Sequence, residues 1–351
     1  MQIVAGNNLN HQWFYDDLII SEFRVITAES LCNLHYSSAE LLQINWFYNI
    51  VKIQSCFYLI GFVNSEETVR KIKLPDNCDS SNVIVLGNDY KLIVVDKSLC
   101  KIWVYNLEDE TECKCISLKI EAPEECSVKK KKLEDHICKV SLLNDSILYL
   151  TEAGSVYCGL LPCYVDTTHC VGKVIDVQCG YEHFILLTDT GLIYTWGNGR
   201  RLQLGHGDIS NLEIPTEVEA LAGVKIIKIC AGGWHSLALS EFGDLYAWGW
   251  NDTGQLGITA NEKYSCSLPS LVDILDSDTV NTKNVKDIAC GSKFSAILLE
   301  DKSVWTSGNN NYGQLGISTD IKCITAFRKV YQCTNDSKLM CGPWTTAIID
   351  K

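Results

Sequence analysis

The feature that most constrains this chain is a period. Four glycines, Gly180, Gly232, Gly291 and Gly342, each open a segment of the same design, about 50 residues apart. Cys179-Gly180-Tyr181-Glu182-His183-Phe184 leads into ILLTDTGLIYTWG, and Ala231-Gly232-Gly233-Trp234-His235-Ser236 leads into LALSEFGDLYAWGWNDTGQLG. A third copy runs from Cys290-Gly291 through Trp305 and Gly308 to Gly313-Gln314-Leu315-Gly316, and a fourth starts at Cys341-Gly342-Pro343-Trp344. Each holds short runs of Val, Ile, Leu and Tyr around a tight turn such as Thr188-Asp-Thr-Gly191 or Glu241-Phe-Gly-Asp244, whose glycine takes the positive φ a hairpin demands. A unit of this size cannot cover both of its own faces. Copies must stack, and antiparallel strands stacked at this period make the blades of a β-propeller.

The amino half keeps the rhythm with looser chemistry. Asn45-Trp46-Phe47-Tyr48 runs into NIVKIQSCFYLIGF and ends its strand at Gly61; Gly87-Asn88-Asp89-Tyr90 runs into KLIVVDKSLCKIWVYNL. ILYLTEAGSVYCG at 147–159 parallels FILLTDTGLIYTWG, with Gly154 answering Gly191 and Gly159 answering Gly197. Together these predict an all-β, seven-bladed β-propeller filling 1–351 as one domain, its inner strands starting near 45, 87, 142, 180, 232, 291 and 342. The last copy lacks a Trp-Gly strand, whereas IVAGNN at 3–8 resembles TSGNNN at 306–311. Residues 1–8 are therefore expected to supply the N-terminal strand that closes the last blade and removes an open sheet edge.

Charge and composition narrow the function. Forty-three acidic against 30 basic side chains give a net charge of −13. The excess is shared, with 15 basic and 23 acidic groups in 1–170 and 15 and 20 in 171–351, so neither half offers the basic footprint that direct nucleic-acid binding needs. MQIVAGNN has neither a basic region nor an apolar stretch of signal-peptide length, and no run is long enough to span a bilayer, which predicts an intracellular chain without membrane contact. In that setting the 18 cysteines, several of them inside strand patterns (Cys179, Cys230, Cys290), read as reduced core thiols. Cys113-Lys-Cys115 lacks the paired knuckles of a zinc site, and no phosphate loop, nucleophile elbow or matched carboxylate pair occurs. The expectation is no metal, no cofactor, no catalytic residue and no enzyme. Lys129–Lys132, flanked by Glu121, Glu124, Glu125, Glu134 and Asp135, reads as an exposed loop between blades.

The Gly-x-x-His-Ser/Thr strand start, the Trp-Gly-x-Asn turn and the Gly-Gln-Leu-Gly ending, carried by 179–316, resemble the regulator-of-chromosome-condensation repeat. More narrowly, AGGWHS (231–236), WGWNDTGQLG (248–257), LLPC (160–163) and CGPWTT (341–346) are similar to the branch of that family that partners a JmjC-domain dioxygenase. The resemblance implies a chromatin-linked adaptor of a JmjC-domain histone lysine demethylase or hydroxylase, acting in chromatin repression, spindle organisation and chromosome segregation. It further implies a nuclear, chromosome-associated location with a cytoplasmic or spindle pool, and chromatin or microtubule-associated proteins as indirect partners. The founding activity of the family, guanine-nucleotide exchange on a small GTPase, is the alternative; a scaffold that merely bridges proteins is a third reading. Two departures stand out. The basic amino-terminal tail of the founding member is missing from this sequence, and no arginine occurs between Arg70 and Arg200, which excludes a substrate arginine for a JmjC hydroxylase in that stretch.

Candidate residues follow from position in the repeat. His183 and His235 recur at one strand start, where Phe294 and Thr345 stand in sister copies, so a structural hydrogen bond to neighbouring backbone is expected rather than catalysis. Trp196 and Trp248 read as core, and Gly197, Gly249 and Gly308 as repeat glycines that close the Trp-Gly strand. Trp234, Trp250 and Trp344 fall at strand ends or turns, where large aromatics anchor partners. Asn251 and Asp252 lie beside Trp250, and Arg200, Arg201 and His206 form a small basic loop; these complete the expected partner-binding set.

Overall fold

In the computed structural model the chain is described at residues 2–13, 16–26, 39–63, 66–76, 78–108, 113–118, 135–258, 265–274 and 284–350. The β-branched and aromatic runs pair into seven four-stranded antiparallel sheets. Blades one to six follow chain order, starting with Ala39–Ile44, Val83–Gly87, Ile137–Leu143, Val174–Cys179, Ile226–Ala231 and Val285–Cys290. The seventh combines both chain ends in the order Ile19–Val25, Gln2–Asn7, Thr345–Asp350, Ser337–Gly342. A seven-bladed all-β propeller is therefore the fold.

Seven hydrophobic clusters lie between successive blades. Leu237, Leu239, Leu245 and Ala247 of blade five, for example, meet Val285, Ile288, Ile297 and Leu299 of blade six. Second strands are packed on both faces: His235–Ser240 and Phe294–Leu299 are buried at every position. Such strands read as continuous apolar runs rather than as alternation. The outermost strand of blade two, Cys113–Ser117, is exposed at four of its five positions.

Strand order corrects the expected phase of the repeat. The segments opening at 45, 87, 142, 180, 232, 291 and 342 begin at the end of the innermost strand or in the loop just after it and lead into the second strand of each blade. Side chains link these preceding strands around the axis. Gln43 binds Gly87 through both amide atoms, Nε2 to the carbonyl at 2.9 Å and Oε1 from the N–H at 2.8 Å; Cys179 N donates to Ser141 Oγ at 3.0 Å; Lys139 pairs with Asp176 and Lys228 with Asp287; Leu339 N donates to Asp287 Oδ2 at 2.9 Å. The conspicuous glycine marks the turn and not the strand start, because the first strand carries no fixed residue that announces it.

Closure runs further into the chain than residues 1–8. Gln2–Asn7 pairs with Thr345–Asp350 from Gln2↔Ile349 to Gly6↔Thr345, and Ile19–Val25 adds the outer strand. Gly6 does the work of Gly249: φ is +133° at one and +99° at the other, and a Cβ would sit 2.5 Å from the Trp344 carbonyl or 2.7 Å from that of Trp234. Gly197 and Gly308 cross the preceding loop in the same manner. Between the two strands, Asn8 Oδ1 accepts from Trp13 N at 2.9 Å, as Asn251 Oδ1 does from Leu256 N and Asn310 Oδ1 from Leu315 N. Gln12-Trp13 thus stands where other blades have Gln-Leu, with Gln12 buried like Gln203, Gln255 and Gln314.

Candidate protein-binding face

The repeat histidines are fully buried where successive blades meet. His183 Nε2 lies 3.1 Å from Ser236 Oγ, and His235 Nε2 2.9 Å from Ser295 Oγ, so each imidazole reaches a hydroxyl of the next blade. The hydroxyls donate onward to carbonyls, Ser236 to Gln203 at 3.1 Å and Ser295 to Gln255 at 2.6 Å. Each hydroxyl proton is thereby used, and the imidazole must donate from Nε2. Both rings sit tight on the repeat glycine: a Cβ at Gly180 would be 1.9 Å from the His183 ring and one at Gly232 2.2 Å from the His235 ring. Gly291 serves Phe294 in the same way, while the open space above Gly342 is filled by Ile44 of blade one.

Burial holds both histidines neutral, pushing His183 down to about 3 and His235 to about 4, and neither Nδ1 has a partner to receive a second proton's charge. In the unfolded chain each histidine titrates near its ordinary value of about 6.5. Between those values the unfolded chain binds more protons, so the contribution is full above about pH 6.5 and is lost as pH falls toward the folded values. Urea midpoints are expected to fall between about pH 7 and pH 5, and His183→Phe with His235→Phe, copying Phe294, should flatten that slope. An unchanged slope in the double variant would refute the assignment.

The same turns build one face of the ring. In these Gly-x-Asn turns the residue after glycine donates its N–H to the loop before the second strand: Trp250 N to Trp234 O at 2.9 Å, Asn309 N to Lys293 O at 2.9 Å and Asn7 N to Trp344 O at 3.0 Å. This bond carries Trp250 to Trp234. The Arg201 guanidinium, from the corresponding turn of blade four, lies 3.9 Å from the Trp250 ring centroid and 5.4 Å from that of Trp234. Lys293 Nζ of blade six is 4.3 Å from the Trp250 centroid and 3.0 Å from Asp252. Tyr181 meets Trp234 edge-on at 5.6 Å and shares a 2.5 Å hydrogen bond with Ser292. Across the ring Trp46, Tyr312 and Trp344 form a second cluster, their centroids 5.1 to 6.2 Å apart. Between the clusters the axial channel opens as a cavity of about 560 Å³.

Trp234, Trp250, Trp344 and Arg201 thus share this face, the tryptophans half-buried and Arg201 exposed. Arg200 and Asp252 are exposed beside them. Two expected members do not belong. Asn251 is buried, its side chain spent on Leu256 N; His206 is half-buried, with Nε2 2.8 Å from Thr195 Oγ1, and burial lowers its pKa. Short turns recruit Asn and His for internal bonds, and proximity in sequence to Trp250 or Arg201 did not separate the two uses. Trp46, Tyr181, Tyr312 and Lys293 went unnoticed; the signal for them is position, since each occupies the loop that holds Trp234, or the turn that holds Trp250, in another blade. Trp196 and Trp248 are core, the latter fully buried with Nε1 donating to Gln203 O at 2.8 Å. Lys129–Lys132 lies outside the described residues.

Sheet order and repeat geometry define the class: a seven-bladed β-propeller of repeated four-stranded blades. Residues 190–239 and 243–298 match one model of the Regulator of chromosome condensation (RCC1) repeat, and 174–203, 226–255 and 285–314 match a second. Among relatives, RCC1 domain-containing protein 1 of Mus musculus is 33% identical over 215 residues, covering 50% of this chain and 55% of the relative. The human protein of that name is 30% identical over 214 residues, and the Arabidopsis thaliana ultraviolet-B receptor UVR8 is 37% identical over 150, covering 42% of this chain and 32% of the receptor. The matched stretch thus spans about half the length of the RCC1 domain-containing relatives. Human WBSCR16 and Saccharomyces cerevisiae Prp20p superpose over the whole chain with TM-scores of 0.74 at 16% identity, covering 99% and 91% of those chains, a likeness of fold.

Proposed function

We propose that this chain is a non-enzymatic adaptor that holds a partner protein on the loop face carrying Trp234, Trp250 and Trp344. The observation that carries the reading is the Arg201–Trp250–Lys293 stack beside Trp234, half-buried aromatics ringed by cations already held in place. Trp and Arg dominate binding energy where they are pre-organised, since little side-chain freedom remains to be lost on association. The sequence similarity of 231–236, 248–257 and 341–346 to the JmjC-partnering branch supports a JmjC-domain histone dioxygenase as that partner, and with it a nuclear, chromosome-associated role in repression and segregation.

Capture from nuclear extract with mass-spectrometric identification tests this, run beside a folded Trp250→Ala, Trp344→Ala variant. Wild type is expected to retain a JmjC-domain dioxygenase and the variant to lose it. Retention of a nucleotide-free small GTPase instead would replace the adaptor reading with the exchange-factor one.

A further inference from the structure

The axial mouth on the same face carries a recognition chemistry of its own. Aromatic groups stand in its wall: Trp46, Tyr312 and Trp344 on one side, Tyr181 on another, with Tyr90 beside Asp89. Among the described residues no lysine, arginine or histidine lines it, and Asp89 is the one acidic side chain that does. That carboxylate has no ion pair or hydrogen bond among the described residues, in contrast to Asp96, which is spent on Ser98 and Leu99 of the same blade. Its residue is exposed, so a ligand can reach it, yet the protein crowding the carboxyl raises its pKa. An uncompensated carboxylate in an aromatic-walled recess is unfavourable alone and complementary to a cation, because ring faces and carboxylate attract positive charge together while the apolar walls accept the methylenes of its stem.

We infer that the axial mouth receives a basic side chain, presented on a loop of the partner, with its charged head at Asp89 and its stem against Trp46 and Trp344. Two features favour a basic residue over an acidic or purely apolar one. Among the described residues the mouth holds a carboxylate and no cation, and the chain as a whole carries a net charge of −13, which draws cationic segments toward it. The free volume of about 560 Å³ exceeds a single side chain, which leaves room for the loop that bears it.

The inference rests on the reading of this face as the partner surface, and a titration that needs no partner separates the two. The probe is acetyl-Gly-Arg-Gly-amide, compared with the same peptide bearing citrulline, which keeps the shape of arginine and removes its charge. Indole N–H signals of Trp46 and Trp344 are followed by NMR. The arginine peptide is expected to give saturable shifts at millimolar concentration and the citrulline peptide to bind about tenfold more weakly, as expected for loss of a cation–π contact together with an ion pair. Asp89→Asn, a change at an exposed loop position, should abolish most of that difference while leaving thermal stability unchanged. Equal binding of the two peptides, absence of saturable shifts, or discrimination that survives in Asp89→Asn would overturn the inference. The adaptor reading stands or falls separately, on partner capture by the Trp250→Ala, Trp344→Ala variant.

Discussion

Removing residues 2–8 is expected to lower the melting temperature by about 10 °C or more, or to prevent soluble folding altogether. All six residues of Gln2–Asn7 are buried, and the strand lies between Thr345–Asp350 and Ile19–Val25 with backbone bonds on both sides. Its loss strips Ile3 from the cluster between blades six and seven and Val4 from the cluster between blades seven and one. Burying a side chain of that kind is worth roughly 1.5–3 kcal/mol, and the deletion also detaches the outer strand and opens a sheet edge. A loss of about 5 kcal/mol or more rivals the whole stability of an ordinary domain. Differential scanning calorimetry of the truncated chain provides the check; a transition within about 2 °C of wild type would show that the ring does not depend on this strand.

Two tryptophans separated by a single glycine are expected to behave as opposites. Trp248→Ala should cost roughly 3–5 kcal/mol, since the ring is fully buried between blades four and five and its Nε1–H bonds to Gln203 O. Trp250→Ala should leave stability within about 1 kcal/mol, because its ring is half-buried and packs chiefly against the exposed Arg201 and the half-buried Lys293. Chemical denaturation of both variants decides the point. Similar losses would mean that Trp250 is an interblade core residue and would withdraw it from the binding face.

The contrast shows what the sequence made legible. Copy number came from the glycines, because Gly180, Gly232 and Gly291 are imposed by ring-on-glycine packing that no other residue fits. Ring closure came from IVAGNN for the same reason: Gly6 answers a carbonyl at 2.5 Å. The innermost strands were displaced by one element, since Val174–Cys179 and its equivalents differ in sequence and are set by register around the axis rather than by a fixed residue. Residues 9–25 were missed because Gln12-Trp13 replaces Gln-Leu, a substitution of one large apolar group for another that geometry tolerates and a motif does not record. At the binding face, Trp234, Trp250, Trp344 and Arg201 were readable singly as aromatics and cations at turns. That Arg201 of one blade and Lys293 of another meet on Trp250 was not, because the stack joins three blades far apart in sequence.

The measurement that most directly tests the account is the affinity of the captured partner for three purified chains of matched stability: wild type, Trp250→Ala with Trp344→Ala, and Phe242→Ser. Phe242 is 73% exposed in the turn at the other end of the blade-five hairpin, on the opposite face of the ring. The account predicts that the tryptophan pair costs at least about 2 kcal/mol, roughly 30-fold in affinity, and that Phe242→Ser binds as wild type does. Retained affinity in the tryptophan variant with loss in Phe242→Ser would place the partner on the other face and contradict it.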